Sequence, residues 1–274
     1  MAVAVIGDEG SGKSIFITLM YATQIRYTAG SDGDFRFFAS PKDLQVISKE
    51  YNRMRMGSWP SDELLGKDIR YSCGFRMKQS TLKRLFGSRQ KHVEIEFRVL
   101  ATSSSEFEPM KTGEIDDIAN IPARAQEMIQ EPIWLFLVEA SRNDLKPWGR
   151  LVSNMIGHAP SKPQIIVMFT MTDKANTRGG IPKRLPLDRK VRNELGRSLI
   201  NKRAGEVSRL WDRERVYGPE IFFSEVQTTD QKGKPVPKLD RNESGSFEMA
   251  YSYDQYQALL GHLGDIARVL DQNV

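Results

Sequence analysis

A chain of 274 residues, 39% hydrophobic and 9% aromatic, can bury an α/β core and still carry long polar loops. Its single cysteine, Cys73, excludes an internal disulfide and a cysteine zinc site, and the scattered His92, His158 and His262 make no metal-ligand pattern, so each reads as surface or core. The net charge of +5 is uneven: Lys67–Lys91 carries eight basic residues against Asp68, and Lys174–Arg215 carries thirteen against five acids.

These basic segments read either as solvated faces or as contacts for nucleic acid or an acidic membrane surface, and they lack the aromatic interleaving of a stacking platform. No run approaches the ~18 apolar residues of a membrane span, and no leading apolar segment resembles a signal peptide. A reducing, cytoplasmic setting is expected.

The chain opens on Ala2-Val3-Ala4-Val5-Ile6, a continuous apolar run suited to a strand buried on both faces. It runs into Gly7-Asp8-Glu9-Gly10-Ser11-Gly12-Lys13-Ser14, which fits G-x-x-x-x-G-K-[ST]. In the following stretch, Ile15 to Ile25, Ile15, Leu19 and Ala22 share a helical face. Strand, glycine-rich turn and helix thus arrive in the order of a phosphate-binding loop. The glycines let successive N–H groups converge on phosphate oxygens, and the helix N-terminus adds positive potential. In such a loop Lys13 reaches the β- and γ-phosphates and the Ser14 hydroxyl ligates Mg²⁺. The alternative is a chance match in an ordinary strand–helix loop.

Phe35–Ala39 reads as a short strand, and Ser40-Pro41 starts a helix in N-cap and N1 style, running to about Met56. Gly57–Asp62 breaks it. Asp68–Gln79 and His92–Ala101 are two strands joined by a basic turn; in the second, Val93, Ile95, Phe97 and Val99 alternate with polar residues. Thr102–Asn120 is a polar loop with Glu106, Glu108, Glu114, Asp116 and Asp117 against the lone Lys111. A helix over Pro122–Gln130 precedes the apolar strand Ile133–Val138. Trp148, Leu151, Val152 and Met155 stripe the next helix, and Ile165–Phe169 is another buried strand. A basic helix is expected over Leu187–Trp211, a last strand over Glu220–Phe223, a mobile loop over Thr228–Phe247, and a closing helix striped by Leu259, Leu263, Ile266 and Leu270. Apolar strands alternating with amphipathic helices predict an α/β fold with a mainly parallel sheet covered on both faces.

Three of these features together resemble the Ras-like GTPase superfamily: the phosphate loop near the start, the adjacent strand pair after it, and Thr170-Met171-Thr172-Asp173 closing the fifth core strand, where the family carries Asn/Thr-Lys-x-Asp. The resemblance implies a three-layer G domain with a six-stranded sheet and one antiparallel edge strand. Residues 1–274 would form that one domain, with inserted segments at about 35–57 and 226–248. It implies GTP or GDP as ligand with Mg²⁺ on Ser14. The nucleotide contacts would be Gly7, Glu9, Gly10, Ser11, Gly12, Lys13, Ser14 and Ile15 in the loop, then Thr170, Asp173, Ser224 and Glu225 around the base.

A carboxylate such as Asp173 accepts two hydrogen bonds from guanine N1–H and N2–H₂, a donor pair that adenine lacks. Met171 stands where the family has Lys and keeps only apolar contact with the base. The family's Asp-x-x-Gly is missing, since Leu100-Ala101-Thr102-Ser103-Ser104 occupies its place. Ser61 is the nearest substitute for the family's switch threonine and, with Lys13, the candidate catalytic residue. Glu9 puts a negative charge beside the site of phosphoryl transfer. The implied protein is a slow GTPase switch, hydrolysing at or below about 10⁻⁴ s⁻¹, with loops 57–67 and 102–120 as its moving parts. Its partners would be guanine nucleotide and a protein effector or regulator, with a homodimer left open. A non-cycling nucleotide scaffold and an ATP-using ATPase or nucleotide kinase are the alternatives. For the last, Val138-Glu139 would be an acidic strand end, while Arg142, Arg213 and Arg215 read as exposed charges rather than an arginine lid.

Overall fold

The computed structural model describes residues 2–28, 35–61, 69–76, 92–99, 107–113, 121–175, 181–182, 184–205, 207–241 and 247–272. In chain order these form β1 (Ala2–Gly7), α1 (Lys13–Thr28), β2 (Phe35–Ala39), α2 (Pro41–Arg55), β3 (Ile69–Arg76), β4 (His92–Val99), α3 (Glu108–Thr112), α4 (Ala123–Gln130) and β5 (Ile133–Glu139). Then come α5 (Lys146–His158), β6 (Gln164–Thr170), α6 (Thr172–Ala175), α7 (Arg189–Ala204), β7 (Tyr217–Phe223), β8 (Gln227–Thr229), β9 (Pro235–Pro237), β10 (Leu239–Arg241), β11 (Phe247–Met249) and α8 (Tyr253–Gln272).

The central sheet has the order β2-β3-β4-β1-β5-β6-β7. β4, β1, β5, β6 and β7 pair in parallel, while β3 is antiparallel to both neighbours. The alternation of β1 divides the interior. Val3 and Val5 join a core with Phe16, Leu19 and Met20 of α1 and Tyr256 and Leu259 of α8. Ala4 and Ile6 join a second core with Met128, Trp148, Val152 and Leu199 on α4, α5 and α7. Helices therefore cover both faces, as central parallel strands require.

The sheet has seven strands rather than the expected six, and the antiparallel strand is internal rather than at the edge. The added edge strand is β2, from the stretch read as an insertion. Aromatic packing explains its place: the Phe37 ring stacks on Tyr71 at 4.8 Å, and Tyr71 stacks on Phe97 at 4.7 Å, a column across β2, β3 and β4. α2 starts as expected, the Ser40 hydroxyl accepting from the Asp43 amide at 3.1 Å ahead of Pro41.

Other expectations are corrected. The stretch read as a mobile loop holds two small antiparallel pairs, β8–β9 and β10–β11, with 242–246 outside the described residues. The long basic helix stops at Ala204, where Gly205 takes φ +73°, and a separate 3-10 turn covers Ser208–Trp211. Within the acidic loop, α3 forms over Glu108–Thr112, while 100–106 and 114–120 lie outside the described residues. Several charges of the second basic segment are engaged by the protein itself rather than left free to solvent. Arg192 is buried and donates to the carbonyls of Ile221 and Leu187, Arg189 pairs with Glu220, and Arg203 donates to the Ala140 carbonyl. Most of the first basic segment lies outside the described residues. Among the described residues no helix is long and apolar enough to cross a membrane.

Candidate nucleotide-binding site

β1, β5 and β6 lie side by side and parallel, so their C-terminal ends open on one edge of the sheet, where open α/β folds bind ligands. The loop leaving β1 occupies this edge. Gly10 and Gly12 take φ +76° and +89°, a left-handed backbone that side chains with a Cβ resist. Gly7 is needed for space: a Cβ there would lie 2.3 Å from Ser11 Oγ. The Ser11 amide donates to the Asp8 carbonyl at 3.1 Å, and the Phe16 amide to the Gly12 carbonyl at 2.8 Å, which starts α1. Ser14 and Ile15, in the first turn of α1, are half-buried, and Glu9 is exposed.

Lys13 folds back over its own loop. Its Nζ donates to the Gly7 carbonyl at 2.6 Å and the Asp8 carbonyl at 2.8 Å, in a side chain only 9% exposed. Burial lowers its pKa; Asp8 and Glu9 oppose that shift, and the nearby Lys111 charge adds to it. Ser11 Oγ is buried without a protein partner, which leaves a hydroxyl inside the loop for a ligand oxygen. The residues present thus fit a polyphosphate: an ammonium, a glycine-shaped turn and a helix N-terminus converge. Ser14 is the residue that would hold Mg²⁺ beside such a ligand; no group of three or more His, Cys, Asp or Glu gathers among the described residues.

The stretch read as base-binding lies against this loop. Thr170 Oγ1 donates to the Ser11 carbonyl at 2.8 Å, and a Cβ on Gly12 would stand 3.8 Å from Met171 Cε. Met171 itself has φ +55°, unusual for a residue with a side chain, and marks the sharp exit from β6. Thr172 then docks on the next strand end, its amide and hydroxyl donating to the Ser224 carbonyl at 3.1 and 3.2 Å. Asp173 is half-buried in the first turn of α6. The Ser224 amide donates to the Phe169 carbonyl at 2.7 Å, and its hydroxyl pairs with Tyr256 Oη at 3.0 Å. The Glu225 amide donates to Ser252 Oγ at 3.1 Å; burial raises the Glu225 carboxyl pKa, and Lys238 partly opposes this. The Thr170–Ser11 and Thr172–Ser224 bonds thus link this loop, the turn after β6 and the end of β7.

Ser61 is held differently. Its amide and hydroxyl both donate, at 2.6 Å, to the carboxylate of Glu50, which is 0% exposed within α2. Nearby, Trp59 Nε1 donates to the Pro235 carbonyl of β9 at 2.8 Å, tying the β8–β9 pair to the start of the expected switch loop.

Sequence reasoning missed one feature of the loop. The Asp8 carboxylate accepts from Lys111 Nζ at 2.6 Å and from Arg142 Nη1. Burial disfavours charge on Asp8, but these two cations outweigh it and hold the carboxyl below its usual range. Arg142 is thus bound to the phosphate loop rather than a free surface charge. The available signal was Lys111 itself, the one basic residue in an acidic stretch.

No protein-family model matches the chain, and no curated protein matches it. Among solved structures it is similar to the signal recognition particle receptor SRb-GTP/SRX complex from Chaetomium thermophilum. That match has a TM-score of 0.35 and 10% identity, over 81% of this chain and 89% of that one.

Proposed function

We propose that this protein binds guanine nucleotide through its phosphate loop and acts as a slow GTPase switch within a single Ras-like G domain. The observation that carries the reading is the Thr170–Ser11 hydrogen bond, which joins the segment read as base-binding to the loop read as phosphate-binding. One nucleotide can then touch both. Gly7, Gly10 and Gly12 shape the cradle, and Lys13 and the amides up to Ile15 hold the phosphates. Ser14 supplies a hydroxyl to Mg²⁺, and Asp173 accepts from the guanine edge over the Ser224–Glu225 turn. Bound Mg²⁺ would neutralise charge developing on the phosphates.

Hydrolysis is slow in this reading. The stretch after β4 lacks the Asp and Gly of the family's pattern, and Glu9 adds negative charge where negative charge accumulates. Ser61 would have to leave Glu50 to serve the phosphates. That attachment favours a second reading, a scaffold that holds nucleotide without cycling.

Calorimetric titration with GTP, GDP and ATP, with and without Mg²⁺, tests binding. Guanine preference at micromolar or tighter affinity is expected, and equal binding of ATP overturns the base assignment. Single-turnover release of γ-phosphate faster than about one per second without a partner contradicts slow hydrolysis, against an unassisted Ras-type rate of about 10⁻⁴ s⁻¹. Loop signals that differ between GDP and a non-hydrolysable GTP analogue separate switch from scaffold.

A further inference from the structure

Asp8, the second residue of the phosphate loop, is engaged at both ends. Its carbonyl accepts from Lys13, and its carboxylate accepts from Lys111 of α3 and Arg142 beyond β5. Lys111 is 6% exposed, with Glu108 its other carboxylate at 3.7 Å; Arg142 has Glu139 at 3.8 Å. The helix carrying Lys111 is five residues long, too short to persist by its own hydrogen bonds. Its place depends on tertiary ties: buried Phe107 and Met110, the bond from Asn154 Nδ2 to the Met110 carbonyl at 2.6 Å, and Lys111 on Asp8. Lys13 and Lys111 both donate to Asp8, one to its carbonyl at 2.8 Å and one to its carboxylate at 2.6 Å, so two like charges meet at one residue and repel.

We propose that Asp8, held by Lys111 and Arg142, couples occupancy of the phosphate loop to the position of α3. The coupling rests on the nucleotide-binding reading above and assigns its transmission to three residues. A polyphosphate draws Lys13 Nζ off the Asp8 carbonyl and replaces the repulsion felt by Lys111 with attraction. α3 is then drawn toward the occupied loop, because Lys111 cannot follow the charge without moving the short helix. Linkage makes the effect reciprocal: whatever pulls α3 away weakens nucleotide binding by the same factor, within the 5- to 150-fold range of such couplings.

The exposed Thr112 at the end of α3 gives the test. A Thr112→Cys variant carries one reactive thiol, because Cys73 is fully buried and burial pushes its thiol pKa up. With an environment-sensitive dye on that cysteine, GTP binding is followed by calorimetry and α3 by emission. Saturating GTP is expected to change the emission. With Lys111→Met added, GTP still binds, about tenfold more weakly, but the emission change is lost, and Lys111→Arg restores it. Arg142→Gln, on the more exposed side of Asp8, reduces the change while the buried lysine stays intact. A full-sized change in the Lys111→Met chain overturns the coupling, as does no change in the Lys111 chain when calorimetry registers GTP bound. Failure of GTP to bind the unsubstituted chain refutes the nucleotide reading itself, a result visible in the calorimetry alone.

Discussion

Thr170 Oγ1 donates to the backbone carbonyl of Ser11 at 2.8 Å, joining the end of β6 to the phosphate loop across 159 positions of sequence. Thr170→Val keeps the shape and removes the donor, leaving a buried carbonyl without this partner. The expected loss is about 1–3 kcal/mol of stability, the cost of an unmatched buried polar group. Urea unfolding measures it, and nucleotide affinity should fall with it.

Gly12 sits at φ +89°, and an added Cβ would meet nothing closer than Thr170 Cβ at 3.7 Å. Gly12→Ala is therefore penalised by backbone conformation rather than by collision. A cost of about 1–2 kcal/mol is expected, together with weaker nucleotide binding as the loop amides turn. Thermal melting and titration of the variant check both.

Glu50 is a buried carboxylate serving two donors of one residue, the amide and hydroxyl of Ser61. Glu50→Gln retains one acceptor oxygen and presents an NH₂ where the other stood, so one donor loses its partner. Destabilisation of about 1.5–3 kcal/mol is expected, the range for hydrogen bonds to charged groups. Faster amide hydrogen exchange at Ser61 is its local signature.

Asp8 makes stability pH-dependent in acid. Its folded pKa lies below the ordinary 3.8, because Lys111 and Arg142 outweigh the effect of burial. A depressed carboxylate contributes stability that is fully present above its unfolded pKa and lost as pH falls through the folded value. Asp8→Asn should lower stability at neutral pH and flatten the decline below about pH 4. Denaturant midpoints at pH 7 and in the acid range report the difference.

Much of the fold was legible because its central strands are buried on both faces. Ala2–Ile6, Ile133–Val138 and Ile165–Phe169 are unbroken apolar runs and became β1, β5 and β6. The small pairs β8–β11 were not legible. Each is three residues long, with Pro235 and Pro237 in one strand and Gln227-Thr228-Thr229 in its partner, so neither alternation nor β-propensity marks them. α3 forms from ties to Asn154 and Asp8 that no local pattern encodes. The place of Thr170 on the phosphate loop could be expected from its motif. The Asp8–Lys111 pair could not: its partners are 103 residues apart, Asp8 fills a position that the loop motif leaves open, and Lys111 stood out only as the one basic residue in an acidic stretch.

The most direct measurement is the ratio of GTP to ATP affinity in the unsubstituted chain and in Asp173→Ala, with Lys13→Ala as the phosphate control. The account predicts a clear guanine preference that collapses in Asp173→Ala while phosphate-driven binding remains, and weak binding of both nucleotides in Lys13→Ala. A ratio that Asp173→Ala leaves unchanged would contradict it.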